Sequence, residues 1–334
     1  MIFSENILKS KGLRYSTPTD LTIERRRRGR GFCYIGKDTN LITEKTQKSW
    51  FEGLAVPPVY ENVFYCYNQE GHLQALGQDT TGTIQYFYHP KWEELRDEHK
   101  FSRLLEIGNE LPRMRRKLNS ILRNEKSDKV YVLAAITKVL DNSGLRIGSP
   151  RSARENKTYG ISTLKKEHFK CENGNTFLEF SGKGNVEITR EIESSAIKSI
   201  LEDFYERPGE LLFQYKENGT LNSVSPAQIN NFISDLSTIE MTAKEFRTWR
   251  ASALLVKFWL RQAGDTETLG SLLEKVCRFI GNTPSILRNS YIHPVLIKKK
   301  KDKKFSIHEI TPLKKRGLRK AEAVLMALLK KECS

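Results

Sequence analysis

The chain has no run of apolar residues approaching the roughly eighteen needed to cross a bilayer, so no membrane-spanning helix is expected. Its first thirty residues are polar and lack an apolar signal core, which argues against export. Cysteine is scarce and poorly placed for cross-linking. Cys33, Cys66, Cys171, Cys277 and Cys333 are odd in number, scattered, and contain no Cys-x-x-Cys pair. That pattern excludes a disulfide framework and a thiolate zinc site, and it fits reduced thiols in a cytosol. No internal repeat is present. The expectation is a soluble, cytoplasmic chain of 334 residues, long enough for two domains or one large one.

What the chain has in excess is positive charge. Lys and Arg number 56 against 40 Asp and Glu, a net +16. The excess is uneven: residues 291–334 hold 13 Lys or Arg against 4 Asp or Glu, and Arg25–Arg28 with Arg30 form a second dense run. A solvated surface would explain either run alone. Two separated runs on top of the general excess point to a polyanion, and so to nucleic acid as the partner.

Residues 1–92 read as β-rich. Short aromatic or β-branched runs at 31–35, 63–67, 72–76 and 83–88 are punctuated by the turn sequences Asn-Gln-Glu-Gly and Asp-Thr-Thr-Gly. A short helix is expected over 44–54, closed by Gly53 ahead of Pro57-Pro58. From about residue 93 the period changes. Val132, Leu133, Ile136, Val139 and Leu140 recur at helical spacing, with Gly144 as a stop. Further helices are marked by Phe246 to Leu260, by Leu269 to Val276, and by Leu318 to Leu328. Strands at 177–180 and 186–190, joined by Ser181–Asn185, form the only β insert expected in this half, near 160–190. The fold class is therefore α+β: a small β-rich domain over 1–92 and a larger, mainly α-helical domain over 93–334. The lysines at 298–304 are expected in a flexible loop before the last helix.

The most informative stretch is 279–293, Phe-Ile-Gly-Asn-Thr-Pro-Ser-Ile-Leu-Arg-Asn-Ser-Tyr-Ile-His. A tyrosine phenol, with a pKa of about 10, is a poor nucleophile at neutral pH. Cationic and amide donors around a bound phosphate make it a good one, because the developing charge is already matched. Thr283 can cap a short helix with Pro284 at its first position, which puts Tyr291 early in that helix. By itself Tyr291 could be an ordinary amphipathic residue, and Asn282 a turn residue beside Gly281. Lys183, between two glycines at a hairpin tip, is either a solvated turn lysine or a mobile ammonium able to protonate a leaving alkoxide. Arg146 could neutralise a helix end, and Arg247, beside large apolar groups, needs a carboxylate or a phosphate as partner.

The order Arg146, Lys183, Arg247, Asn282, Tyr291 resembles that of type IB DNA topoisomerases of the small bacterial and poxvirus kind. The resemblance covers most of the chain. Arg25–Phe32, Gly53–Pro58, Gly71–Ala75 and Gln85–Pro90 are similar to the family's amino-terminal domain. Leu145–Gly148, Ala153–Asn156 with Tyr159-Gly160, Thr242–Trp249 and Gly281–Tyr291 are similar to its catalytic segments. The resemblance implies a monomer closing on duplex DNA as a clamp, near the nucleoid, with the fold of the tyrosine recombinase and type IB topoisomerase kind. Tyr291 would form a 3′-phosphotyrosyl bond, with Arg146, Arg247 and Asn282 on the phosphate oxygens and Lys183 as proton donor. No ATP, metal or other cofactor would be required. Arg25, Arg26, Arg27, Arg28, Arg30, Gln85, Tyr86, Tyr88 and Lys244 would contact DNA. This chain departs from the family at Thr83-Ile84, where basic residues are frequent, at Ser149-Pro150, where Asn-Glu is common, and at Asn282, where some relatives carry histidine. A tyrosine site-specific recombinase would share the constellation but usually has histidine where Lys244 stands. A basic DNA-binding protein without catalysis would explain the charge and not the ordered residues.

Overall fold

The arginine run near the start of the chain is itself a strand. In the computed structural model, which describes residues 3–124, 129–262 and 266–333, a short helix α1 (Glu5–Ser10) precedes β1 (Ile23–Arg28). Strands β2 (Gly31–Ile35), β3 (Glu61–Tyr65), β4 (Leu73–Gln78) and β5 (Ile84–Tyr88) complete an antiparallel sheet in the order β2-β1-β3-β4-β5. Helix α2 (Lys45–Gly53) lies where its sequence predicts, and its Phe51 packs with Ile23, Tyr34, Val63, Tyr65 and Ala75 of the sheet. The chain divides into two units, Met1–Lys100 and Phe101–Ser334, the division falling inside α3 (Pro90–Ser102).

The second unit is built around two helices. α5 (Lys129–Ser143) buries residues on every side, from Tyr131 through Leu140, and α9 (Ala243–Leu260) buries nearly all of its first fourteen. A helix apolar all round belongs in the middle of a core. Around them lie α4 (Leu104–Asn124), α6 (Pro150–Asn156), α7 (Ser195–Glu206), α8 (Pro226–Leu236), α10 (Leu269–Ile280), α11 (Pro284–Ser290), α12 (Pro294–Lys301) and α13 (Lys320–Cys333). A three-stranded sheet, β6 (Phe169–Glu172), β7 (Asn175–Gly182) and β8 (Val186–Glu191), forms the β insert. A second hairpin, β9 (Gln214–Glu217) with β10 (Thr220–Ser223), was not legible because its strands are only 4 residues each and mostly polar.

One further expectation needs correction. Lys298–Lys301 end helix α12 and are no loop: His293 caps its start, Pro294 takes the first position and Leu296 is buried. Lys299 pairs with Glu332 at 2.7 Å, and the Lys300 ammonium lies over the Trp259 ring at 4.8 Å, so these two charges find partners within the fold. The helical core also carries an ionic network. Arg115 of α4 bridges Asp141 of α5 (2.7 Å) and Glu322 of α13 (2.8 Å), and Arg319 contacts both carboxylates. Trp249 Nε1 of α9 donates to Glu322 at 3.1 Å, so one cluster ties four helices together.

Candidate active site

Three helix ends and one hairpin bring the candidate residues together. Thr242 caps α9, its side chain accepting from the Lys244 N–H, while Glu245 reaches back to the Thr242 backbone. One turn on, Arg247 is buried, donating to the carbonyls of Gly144 (2.6 Å) and Ile280 (2.7 Å), at the ends of α5 and α10. These partners are carbonyls and no carboxylate, so the charge of Arg247 is held in place without being cancelled. Its Nε has no partner. Burial, then the neighbouring Arg146 charge, push its pKa down to about 10, which leaves it charged at neutral pH.

Arg146 lies on an extended segment clamped against residues 160–162: the N–H groups of Ile161 and Ser162 donate to the carbonyls of Arg146 (2.9 Å) and Ile147 (2.8 Å). Gly148 makes this approach possible, since its φ is +87° and a Cβ there would fall 2.7 Å from the Gly160 nitrogen. The departure at Ser149-Pro150 is a helix start: Ser149 accepts from the Ser152 N–H and Pro150 takes the first position of α6. Arg146 Nη2 donates to Asn282 Oδ1 at 2.8 Å. That bond fixes the amide, so Nδ2 of Asn282 becomes the free donor, and it is buried with no partner. Asn282 follows Gly281, whose left-handed φ of +70° ends α10.

Tyr291 is not early in its helix, as the sequence implied, but at its C-terminal end. Thr283 and Pro284 do start α11 as expected, and Tyr291 then leaves it with φ −132°, its N–H donating to Leu287 at 2.9 Å. Ser252, fully buried on α9, donates to the Tyr291 carbonyl (3.1 Å) and accepts from the His293 N–H (3.1 Å). The Arg247 guanidinium carbon is 5.3 Å from the centre of the Tyr291 ring. Burial alone would raise the phenol's pKa, but the positive charges of Arg247, Arg146 and Lys244 together bring it below its ordinary value. The nearby His293 is pushed down to about 4, chiefly by burial, and is neutral at physiological pH.

Lys183 stands at the exposed tip between β7 and β8, as the glycines predict. It shares an open cleft of about 540 Å³ with Arg146, Ser152 and Tyr159, and the Tyr159 N–H holds the hairpin through the Ser181 carbonyl at 2.8 Å. The site thus joins Arg146, Arg247, Asn282 and Tyr291, with Lys244 near enough to act on the phenol and Lys183 on a cleft that Arg146 also lines. Among the described residues, no group of His, Cys, Asp and Glu is arranged to hold a metal ion. Nor is any described helix long and apolar enough to cross a membrane.

The residues expected to touch DNA from the first unit have unequal freedom. Arg25 is committed internally, donating to the carbonyls of Val56, Pro57 and Tyr60 at 2.9 Å and stacking over Phe32 at 4.3 Å. Arg26 pairs with Glu24 at 2.7 Å. Arg27, Arg28 and Arg30 are exposed. On β5, alternation puts Tyr86 and Tyr88 on one face and Gln85 on the other, where its amide donates to Asp79 at 2.8 Å. Tyr86 is open to solvent, and Tyr88 is half-buried.

Sequence reasoning missed Ser252, Arg250 and Arg190. A buried serine leaves no signal in one sequence. Arg250 belongs to the Arg-Thr-Trp-Arg segment but was not singled out, and Arg190 was read only as the end of a strand. Its signal was the inward register it shares with Ile188.

The family model for the catalytic core of eukaryotic DNA topoisomerase I matches residues 89–307, and that for the N-terminal domain of bacterial DNA topoisomerase IB matches 31–79. DNA topoisomerase 1B of Acanthamoeba polyphaga mimivirus is 26% identical over 284 residues, covering 81% of this chain and 84% of the relative. DNA topoisomerase 1B of Vaccinia virus (strain Copenhagen) is 22% identical over 242 residues, covering 69% and 73%. A solved pre-cleavage complex of the XerH site-specific recombinase with difH DNA covers 68% of this chain and 59% of its own at 18% identity and a TM-score of 0.36. The catalytic-core match contains Arg146, Lys183, Arg247, Asn282 and Tyr291, and the chain belongs to the type IB DNA topoisomerases.

Proposed function

We propose that this chain relaxes supercoiled duplex DNA with Tyr291 as nucleophile and Arg146, Arg247, Asn282 and Lys183 as its catalytic partners. The observation that carries the reading is the Tyr291 phenol beside two arginines, with an amide donor oriented by one of them and left buried without an acceptor. A backbone phosphate supplies the missing acceptor. Tyr291 Oη, its phenol proton passing to solvent, attacks phosphorus and the bond to O5′ breaks, its electron pair leaving with that oxygen. The Lys183 ammonium protonates O5′, and the 3′ end stays on the tyrosine. Arg146, Arg247 and Asn282 Nδ2 meet the non-bridging oxygens as their charge grows. One strand then turns about the other, and the 5′-hydroxyl attacks the phosphotyrosine to restore the backbone. The phosphodiester's bond energy is retained in the adduct, so no ATP is consumed, and cationic side chains take the role a metal would have.

DNA contacts in the first unit fall to Arg27, Arg28, Arg30 and Tyr86, whose side chains face solvent, with Arg25 holding the loop 56–60 in place. Lys244 joins the site as a further cation. The enzyme acts as a monomer on cytoplasmic, nucleoid DNA.

Relaxation of a supercoiled plasmid in EDTA without ATP, stopped with detergent, tests the reading. The expected result is relaxed plasmid and protein covalently trapped on a 3′ end, both lost in Tyr291→Phe while noncovalent binding persists. Relaxation by Tyr291→Phe would overturn the nucleophile. Binding without relaxation or adduct by the unaltered chain would overturn the activity.

A further inference from the structure

Arg190 presents a problem that the proposed chemistry does not use. It lies on β8 opposite Leu178, in the inward register with Ile188, and only 3% of it is exposed. Its guanidinium lies on the Phe279 ring, 3.5 Å from the centroid, and its Nε and Nη2 have no hydrogen-bond partner. Arg190 forms no ion pair among the described residues. Arg250, which lies 5.2 Å from the same ring, has the carboxylates of Glu322 and Asp141 to offset its charge. The charges acting on Arg190 are those of Arg250 and Arg247, all of one sign, and after burial these push its pKa down to about 9. Packing alone would be better served by an apolar side chain, because an unpaired buried charge is costly and its removal is often neutral or stabilising.

The surroundings indicate what the charge serves. Phe279 is three residues before Asn282, and Ile188 packs against Gly281 between them, since a Cβ on Gly281 would meet Ile188 Cδ1 at 3.1 Å. The inward face of β8 therefore rests on the end of α10 that presents Asn282. A cation there has no water to screen it, so its field reaches the phosphate position beside Arg247 and Asn282 at greater strength than a surface charge would.

We propose that Arg190 is a positioning residue for strand cleavage: an uncompensated guanidinium, held on Phe279 behind the Asn282 loop, whose charge is balanced when the phosphate gains negative charge in the transition state. This rests on the reading of Tyr291 as nucleophile.

The test compares the unaltered chain with Arg190→Met, which keeps an unbranched contact with Phe279, and Arg190→Lys, which keeps the charge. The readouts are urea unfolding, duplex binding at several salt concentrations, and single-turnover cleavage at saturating DNA. For Arg190→Met, stability is expected to be equal or higher, with affinity within about twofold and the same salt slope. Its cleavage is expected to be about 10- to 100-fold slower, and Arg190→Lys to recover most of that loss. A duplex with a 5′-bridging sulfur as leaving atom should accelerate Lys183→Ala and leave Arg190→Met slow. Wild-type cleavage by Arg190→Met would overturn the inference. So would rescue by the sulfur substrate, which would place the defect in Lys183, or a rate loss that merely follows a loss of stability. If the unaltered chain forms no adduct, the reading of Tyr291 has failed. If it forms one and Arg190→Met matches it, only this inference has.

Discussion

Tyr291 is acted on by opposing forces, and their balance sets how the enzyme should respond to pH. Burial of the phenol favours its neutral form, while Arg247, Arg146 and Lys244 favour the phenolate strongly enough to bring the pKa below its ordinary value of about 10. Cleavage should therefore rise with pH over a range lying lower than an unassisted tyrosine would allow. Replacing Arg146 with Gln removes one of the favouring charges, so the phenol's pKa should rise and the whole curve move to higher pH. At neutral pH the first-turnover rate should fall by about 10- to 100-fold, since a phosphate donor is lost as well. A curve that keeps its midpoint in Arg146→Gln would mean that the cations do not set the nucleophile's ionisation. No step between about pH 5 and 8 is expected from His293, because burial holds it neutral throughout that range.

At the level of elements, Arg146 depends on a backbone contact that no side chain supplies. Gly148→Ala would combine a left-handed φ with a Cβ 2.7 Å from the Gly160 nitrogen, and that neighbour is backbone with little room to give. The 146–148 segment should shift, at a cost of roughly 1–3 kcal/mol, and carry Arg146 away from Asn282. Urea unfolding should register the first effect, and a cleavage rate at least 10-fold lower under conditions where the chain is folded the second. An unchanged rate would show that Arg146 reaches its place without this clamp. The same elements explain what the sequence could reveal. Helices α5 and α9 were legible because buried residues recur at helical spacing, and the Lys183 hairpin because its glycines mark the turn. β1 was not, because a run of arginines carries no β propensity, and α12 was not, because it ends in four consecutive lysines whose partners are met only in the fold. The start of α11 was marked by Thr283 and Pro284, but nothing in the sequence marked its end, so Tyr291 was placed at the wrong end of the helix. The order of the catalytic candidates was legible through family resemblance. The bond from Arg146 that turns the Asn282 amide, and the Ser252 bridge to the Tyr291 carbonyl, join residues 136 and 39 positions apart and exist only in three dimensions.

On the scale of the whole helical unit, the site stands on the ionic network beneath it. Asp141 precedes by three residues the Gly144 carbonyl that holds Arg247, and Glu322 accepts from Trp249, two residues after Arg247 on the same helix. Glu322 is fully buried and receives Arg115, Arg319 and Trp249. Glu322→Gln would remove a charge between two guanidiniums and turn an amide NH₂ toward their donors. Breaking a buried pair in this way costs about 3–5 kcal/mol. Hydrogen bonds and ion pairs outweigh burial at both Asp141 and Glu322, so both carboxyls titrate below their ordinary values in the folded chain. Their stabilisation is therefore complete above the unfolded carboxylate pKa of about 4 and is lost as pH falls through the lower folded values. Urea unfolding should accordingly show the full deficit of Glu322→Gln at pH 7. Below about pH 4 the unaltered chain should lose stability more steeply than the variant, and the gap between them should narrow. A gap that stays constant with pH would mean that the variant's loss comes from packing and not from charge. Because α9 carries both Arg247 and Ser252, loosening this network should also slow cleavage by the variant, even at pH 7 where it remains folded.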